Sequence, residues 1–180
     1  MLDDVVIVGA GPAGAVAATL LARTGARVRL LDRARFPRDK LCGDTVNPGT
    51  LAALRRFGMA ATLDAKGLRI DGMVVTGDGV TVEGRYPDGL HGRALVRREL
   101  DWALIEQALA AGVQFEPDVA VRRALIDAAA AQPVATGVVV AVRGSERTLR
   151  SRVVIAADGR RSTIAFGLGL ASKIAVAFLG

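Results

Sequence analysis

An apolar run, DVVIV at residues 4–8, breaks abruptly into Gly9-Ala10-Gly11-Pro12-Ala13-Gly14, and few folds accommodate that combination. The run reads as a short buried strand. A small-residue helix, AGAVAATLLART at 13–24, follows and stops at Gly25. Residues 27–31 (RVRLL) form a second strand ending at Asp32. Strand, helix and strand within about 30 residues have the size of a right-handed parallel crossover.

The glycines of that turn have separate physical tasks. Gly9 permits the tight exit from the strand. Gly11 lets backbone approach a pyrophosphate, and Gly14 lets helix and strand pack closely. The N-terminus of the helix that follows offers free N–H groups and a partial positive charge to the same anion. A GxGxxG pattern alone is weak, but strand before and helix after is its confirming context. Asp32 lies 18 residues beyond Gly14, where a carboxylate accepts hydrogen bonds from ribose hydroxyls. An acid there argues against a 2′-phosphate, and hence against NADP in this site. The fingerprint itself leaves FAD and NAD open. An NAD dehydrogenase continues with further β-α units, whereas this chain does not.

Residues 33–46 are polar, with Pro37 and Gly43, and read as a long loop. Asn47-Pro48 is a good helix start, a capping residue followed by proline, and Gly58 closes that helix. Residues 68–96 have strand character, with a hairpin signal at Gly77-Asp78-Gly79. Residues 98–111 read as a helix with Leu100, Leu104, Ala108 and Ala111 on one face and Gly112 just beyond its end. VQFEP and VAVRRALID follow as strands. Residues 134–142 and 147–156 form an antiparallel pair around Gly144, and VVIAADG is expected as a buried strand running into Asp158-Gly159. A short helix begins near Ser162.

Composition removes several functions. The net charge is +6, yet the basic residues are scattered, with no run longer than a pair such as Arg55-Arg56 or Arg160-Arg161. That argues against nucleic acid. Aromatics at 4% argue against a base-stacking platform. The single cysteine, Cys42, permits no internal disulfide and fits a reducing, cytoplasmic setting. It cannot by itself build a metal site. With His91 as the only histidine, no Ser-His-Asp set is in view. No apolar stretch reaches the roughly 18 residues of a spanning helix, and no signal peptide precedes the first strand. A peripheral membrane contact stays open.

Four segments resemble the FAD-dependent monooxygenase and geranylgeranyl reductase superfamily, which has the para-hydroxybenzoate hydroxylase fold. They are residues 5–33, 36–58 (FPRDKLCGDTVNPGTLAALRRFG), 95–112 (LVRRELDWALIEQALAAG) and 153–163 (VVIAADGRRST). The resemblance implies an α/β, Rossmann-like FAD/NAD(P)-binding fold with a parallel sheet and an inserted mixed β region. The core is expected at 1–60 and 93–170, the insert at about 61–92, and all of 1–180 as one FAD-binding domain. It implies that Gly9, Gly11, Pro12, Ala13, Gly14, Asp32 and Arg33 hold the ADP half of FAD, although glutamate is commoner than aspartate at position 32. Lys40, Cys42 and Gly43, in a loop similar to the PRxKxCGD type of the reductase-like branch, run near the flavin. Arg97 contacts the cofactor near its phosphate and ribityl region. Val121 touches adenine through its backbone, and Asp158 and Gly159 lie near the pyrophosphate.

The same resemblance implies a flavoprotein oxidoreductase that takes hydride from NAD(P)H and passes it to oxygen or to an aromatic, polyketide or isoprenoid substrate. It identifies no catalytic side chain. Relatives are considerably longer and carry a second Gly-Asp motif that this sequence lacks. A truncated, non-catalytic FAD- or ADP-binding module is therefore an alternative, as is an NAD-dependent dehydrogenase. A partner chain or dimer is a further expectation.

Overall fold

The computed structural model describes residues 2–42, 44–129, 132–142 and 144–171. Elements follow the chain as β1 (Asp3–Val8), α1 (Pro12–Arg23), β2 (Val28–Leu31), β3 (Thr45–Val46), α2 (Pro48–Arg56), α3 (Ala61–Lys66), β4 (Leu68–Ile70), β5 (Gly72–Gly77) and β6 (Val80–Arg85). Then come β7 (Gly92–Ala94), α4 (Arg97–Ala110), β8 (Gln114–Glu116), β9 (Ala120–Asp127), β10 (Val134–Val142), β11 (Ser145–Ala156) and α5 (Thr163–Gly167). The chain divides into two compact units. One comprises Met1–Arg35 and Ala108–Gly180, the other Phe36–Gln107.

The first unit is built on a six-stranded sheet in the order β8-β2-β1-β11-β10-β9. β8, β2, β1 and the second half of β11 are parallel, while β10 and β9 run antiparallel. β11 changes partner along its length. Its first half, Ser145–Arg150, pairs with β10, and its second half, from Ser151 to Ala156, lies parallel to β1. β1 is central and apolar, with Val6 and Ile7 fully buried. One face of the sheet gathers Val6, Val8, Leu31, Val119, Val138, Val140 and Ile164 into a core. α1 packs on β1 and β2, presenting Ala15, Ala18 and Thr19. Thr19 is tolerated because its hydroxyl donates to the Ala15 carbonyl at 2.8 Å.

VVIAADG, expected as a buried strand, is only partly buried. Val153 is 49% exposed and Ala156 is also exposed. The helix covers β1 and β2, and side chains alternate across β11, so only part of its apolar stretch reaches the core.

A charged network ties the strands of this unit together. Arg29 on β2 donates to Asp3 on β1 at 2.6 Å and also pairs with Glu116 on β8, which in turn takes Arg147 from β11. The Asp3 carboxylate leads in raising the Arg29 pKa, with burial opposing it. Replacing Arg29 with methionine leaves the shielded Asp3 without its cation. We expect a loss of about 2 kcal/mol in urea unfolding, below the roughly 3–5 kcal/mol of a fully buried broken pair because the network is partly open to water. An unchanged unfolding midpoint would show the network to be ornamental.

In the second unit, Asn47 caps α2, its side chain accepting from Thr50 N at 2.8 Å with Pro48 next in line. Leu51 and Leu54 point inward. The stretch from residue 61, expected as β, opens instead with α3. Helix-tolerant residues ATLDAK and the fully buried Leu63 favour a helical turn there. β3, β7 and β4 form a small antiparallel sheet. β5 and β6 form the hairpin signalled by Gly77-Asp78-Gly79. Asp78 and Gly79 both take positive φ, 49° and 76°, as a two-residue turn of this hand requires. α4 begins in this unit, and Leu100, Ala103, Leu104 and Ile105 on it are buried.

Candidate dinucleotide site and the arginine clamp

The carboxyl end of β1 leads directly into α1. Gly9 adopts φ +101°, and a Cβ there would lie 2.4 Å from the Ala157 carbonyl oxygen. At Gly14 a Cβ would lie 1.8 Å from the Gly9 carbonyl oxygen. Gly9 N donates to Leu31 O, and Ala157 N to Val8 O, both at 2.7 Å. The turn is thus sealed between β2 and the loop that leaves β11, and only glycine fits at these two positions.

Gly11 sits at the N-cap of α1 in extended conformation, with no side chain bonded to the helix end and Pro12 in the first turn. The first N–H groups of a helix have no partners within it. Here they carry the positive end of a twelve-residue helix dipole. Ala13, next to them, is exposed. Such an end suits an anion.

Asp32 closes β2 beside this turn. Its two oxygens accept from Ala10 N and Ala34 N, each at 2.8 Å. A carboxylate has about four acceptor positions, so each oxygen retains one for a hydroxyl donor. Arg33 follows, exposed. On the other side, Asp158 accepts from Thr163 N through Oδ2 at 2.6 Å, while its Oδ1 is buried without a partner. Gly159 next to it takes φ +84°. Val121 lies in the edge strand β9 and packs against the core. An uncapped helix end, a carboxylate with spare acceptors, an orphaned buried oxygen and a side-chain-free turn fit the ADP half of a dinucleotide.

The remaining candidates lie in the second unit. Lys40 and Cys42 are exposed on the loop before β3, and Gly43 lies outside the described residues. Arg97 opens α4. Its guanidinium donates to Asp101 through Nε at 2.7 Å and Nη2 at 2.9 Å, and it also interacts with the Cys42 side chain. The Asp101 hydrogen bond is foremost in raising the Arg97 pKa, burial opposes it, and Cys42 adds to the rise. Arg97 N also donates to Asp44 Oδ1 at 3.1 Å.

Two participants escaped sequence reasoning. Asp101 is fully buried, and it holds a second arginine, Arg38, at 3.2 Å. Arg38 lies over the Phe36 ring, 4.7 Å from its centroid. The i,i+4 spacing of Arg97 and Asp101 on a helix was the available signal for the first contact. Nothing local announced the second.

Residues 3–176 match the model of a family described as FAD binding domain. The chain is 37% identical to a menaquinone reductase of Mycolicibacterium smegmatis over 169 residues, covering 92% of this chain and 40% of that protein. It is 31% identical to digeranylgeranylglycerophospholipid reductase 1 of Methanopyrus kandleri over 178 residues, covering 95% of this chain and 43% of the other. Among solved structures, PqsL of P. aeruginosa in complex with 2-aminobenzoylacetate superposes with a TM-score of 0.81 at 23% identity. It covers 99% of this chain and 48% of that one, and it supports the fold alone. The chain spans about two fifths of the length of these curated relatives. No described helix is long and apolar enough to cross a membrane. The sealed glycine turn, its acid partner and the family match over nearly the whole sequence converge: this chain belongs to the FAD binding domain family, within the superfamily of FAD-dependent monooxygenases and geranylgeranyl reductases.

Proposed function

We propose that this chain is the FAD-binding part of a flavin-dependent oxidoreductase of the reductase-like branch. The carrying observation is the β1–α1 turn, with Gly9 and Gly14 packed too tightly for any side chain and the α1 N-terminus uncapped. In this reading Gly11, Pro12 and Ala13 place the helix N–H groups against the pyrophosphate. Asp158 and Gly159 flank it, and the unpartnered Asp158 Oδ1 accepts from a hydroxyl of the cofactor rather than from the pyrophosphate, which offers no donor. Asp32 accepts from the adenosine ribose, with Arg33 and the Val121 backbone near the adenine. Lys40, Cys42, Gly43 and Arg97 contact the flavin half, an assignment that rests on the resemblance of their segments.

When bound, FAD supplies two-electron redox chemistry, and the chain supplies position and charge. NAD(P)H is the electron donor in this proposal. The names of the reductase relatives favour an isoprenoid over an aromatic or polyketide small-molecule substrate. The proposal includes a cytoplasmic site of action and, as partners, a second chain or a peripheral membrane contact.

The test is titration of purified protein with FAD, ADP, riboflavin and NAD, followed by flavin fluorescence and calorimetry. Saturable FAD binding that ADP displaces and riboflavin does not supports the assignment. Binding of riboflavin alone would overturn it. Bleaching of the bound flavin by NAD(P)H separates an active flavoprotein from a module that only holds the nucleotide.

A further inference from the structure

The cluster around Asp101 has a geometry that the cofactor reading does not require. Asp101 is fully shielded from solvent, yet it is an acid on a helix face otherwise made of Leu100, Ala103, Leu104 and Ile105. A buried carboxylate is tolerated when it is paired and hydrogen-bonded. Here it takes three contacts from two guanidinium groups, two from Arg97 and one from Arg38. The two cations come from different places: Arg97 from its own helix, Arg38 from the loop that carries Lys40 and Cys42. The same helix start fixes the far side of that loop, because Leu95 N donates to Asp44 O at 2.9 Å and Arg97 N to Asp44 Oδ1. Between these anchors Lys40, Leu41 and Cys42 stand exposed. Arg97, aimed by the bidentate pair, interacts with the Cys42 side chain.

We infer that Asp101 is a positioning residue: it clamps Arg97 and Arg38 so that the loop 38–42 is held at the head of α4 with Cys42 beside the Arg97 guanidinium. The clamp exists in the free chain. Its consequence for cofactor affinity rests on the proposed role of Arg97. A planar guanidinium aimed by two hydrogen bonds recognises an oxyanion or a flavin oxygen in one orientation. Without Asp101 the charge persists but its direction does not.

Cys42 is the only cysteine in the chain, so its alkylation by iodoacetamide reads the clamp without any cofactor. The rate is measured at one slightly alkaline pH in the wild type, Arg97→Ala, Arg38→Met, Asp101→Asn and Asp101→Glu, each checked for native circular dichroism. A neighbouring cation stabilises the thiolate, the form that is alkylated, so Arg97→Ala lowers the rate by roughly threefold or more. Asp101→Asn falls toward the Arg97→Ala value, and Asp101→Glu recovers part of the difference. If Asp101 only neutralised charge, Asp101→Asn would raise the rate above wild type, which overturns the proposal, as does an unchanged rate. Should Asp101→Asn fail to fold, Arg38→Met tests the loop anchor, and an unaltered rate there also overturns it.

FAD titration of the same variants then separates the clamp from the cofactor reading. Asp101→Asn weakens binding by about tenfold, and this loss vanishes in an Arg97→Ala background, as residues of one network behave. If Arg97→Ala binds FAD normally while the alkylation pattern holds, the cofactor role of Arg97 fails and the clamp stands. If Arg97→Ala weakens FAD but the Asp101→Asn loss is additive, the clamp does not act through Arg97.

Discussion

Gly14→Ala is expected to destabilise the chain by about 3 kcal/mol or more and to abolish FAD binding. A single added methyl group in a packed core usually costs about 1–3 kcal/mol. Here the methyl would stand 1.8 Å from the Gly9 carbonyl oxygen and 3.3 Å from the Ala157 Cβ. The first of these obstacles is backbone and cannot rotate away. Nor can it shift, because Gly9 N is bonded to Leu31 O and Ala157 N to Val8 O. Relief requires that α1 lift from β1, and that displaces the helix N-terminus from any phosphate it would hold. Gly25→Ala makes the comparison fair. That residue lies just beyond the C-terminal cap of α1 and has φ +89°, but nothing lies within 4 Å of its Cβ position. It suffers only left-handed strain, about 1–2 kcal/mol, and keeps its cofactor. Urea unfolding of both variants, with FAD titration under native conditions, decides the matter. Equal losses in the two would mean that close approach at Gly14 is not what holds this turn.

That turn was legible because its signal is local. Gly9, Gly11, Gly14 and Asp32 lie within one β-α-β unit, and each residue type has one steric or electrostatic reason to be there. The Asp78-Gly79 hairpin and the Asn47 cap were legible for the same reason. Long-range pairing was not. β11 reads as one half of a hairpin, and its register with β10 agrees, but its second half lies parallel to β1, almost 150 residues away in sequence. No periodicity within Ser151–Ala156 announces that exchange of partners. α3 was hidden because its six residues contain one buried leucine, too little for a periodic pattern. Asp101 was hidden by the opposite bias. An acid is assigned to the solvent face by default, and only the tertiary approach of Arg38 makes its burial tenable.

Asp32→Ala is expected to cost the largest share of FAD affinity of any side chain in the first unit. Hydrogen bonds to a charged group contribute about 1.5–3 kcal/mol each, roughly tenfold to a hundredfold in affinity. The substitution removes the ribose contact and also releases Ala10 N and Ala34 N, both held at 2.8 Å. Loss of the first of these loosens the glycine turn itself, so affinity falls by about a hundredfold or more. Asp32→Asn is not a mild version. Its amide has one oxygen where the carboxylate has two, so its NH2 group must face either Ala10 N or Ala34 N, donor against donor. We expect it to bind FAD nearly as poorly as alanine. Asp32→Glu keeps both acceptors and the charge at a longer reach, and should stay within about tenfold of wild type. Calorimetric titration with FAD and with ADP gives the ordering. If asparagine binds like wild type and glutamate does not, side-chain length rather than two-oxygen acceptance governs this position. If all three variants bind FAD unchanged, the nucleotide does not sit at the carboxyl end of β2.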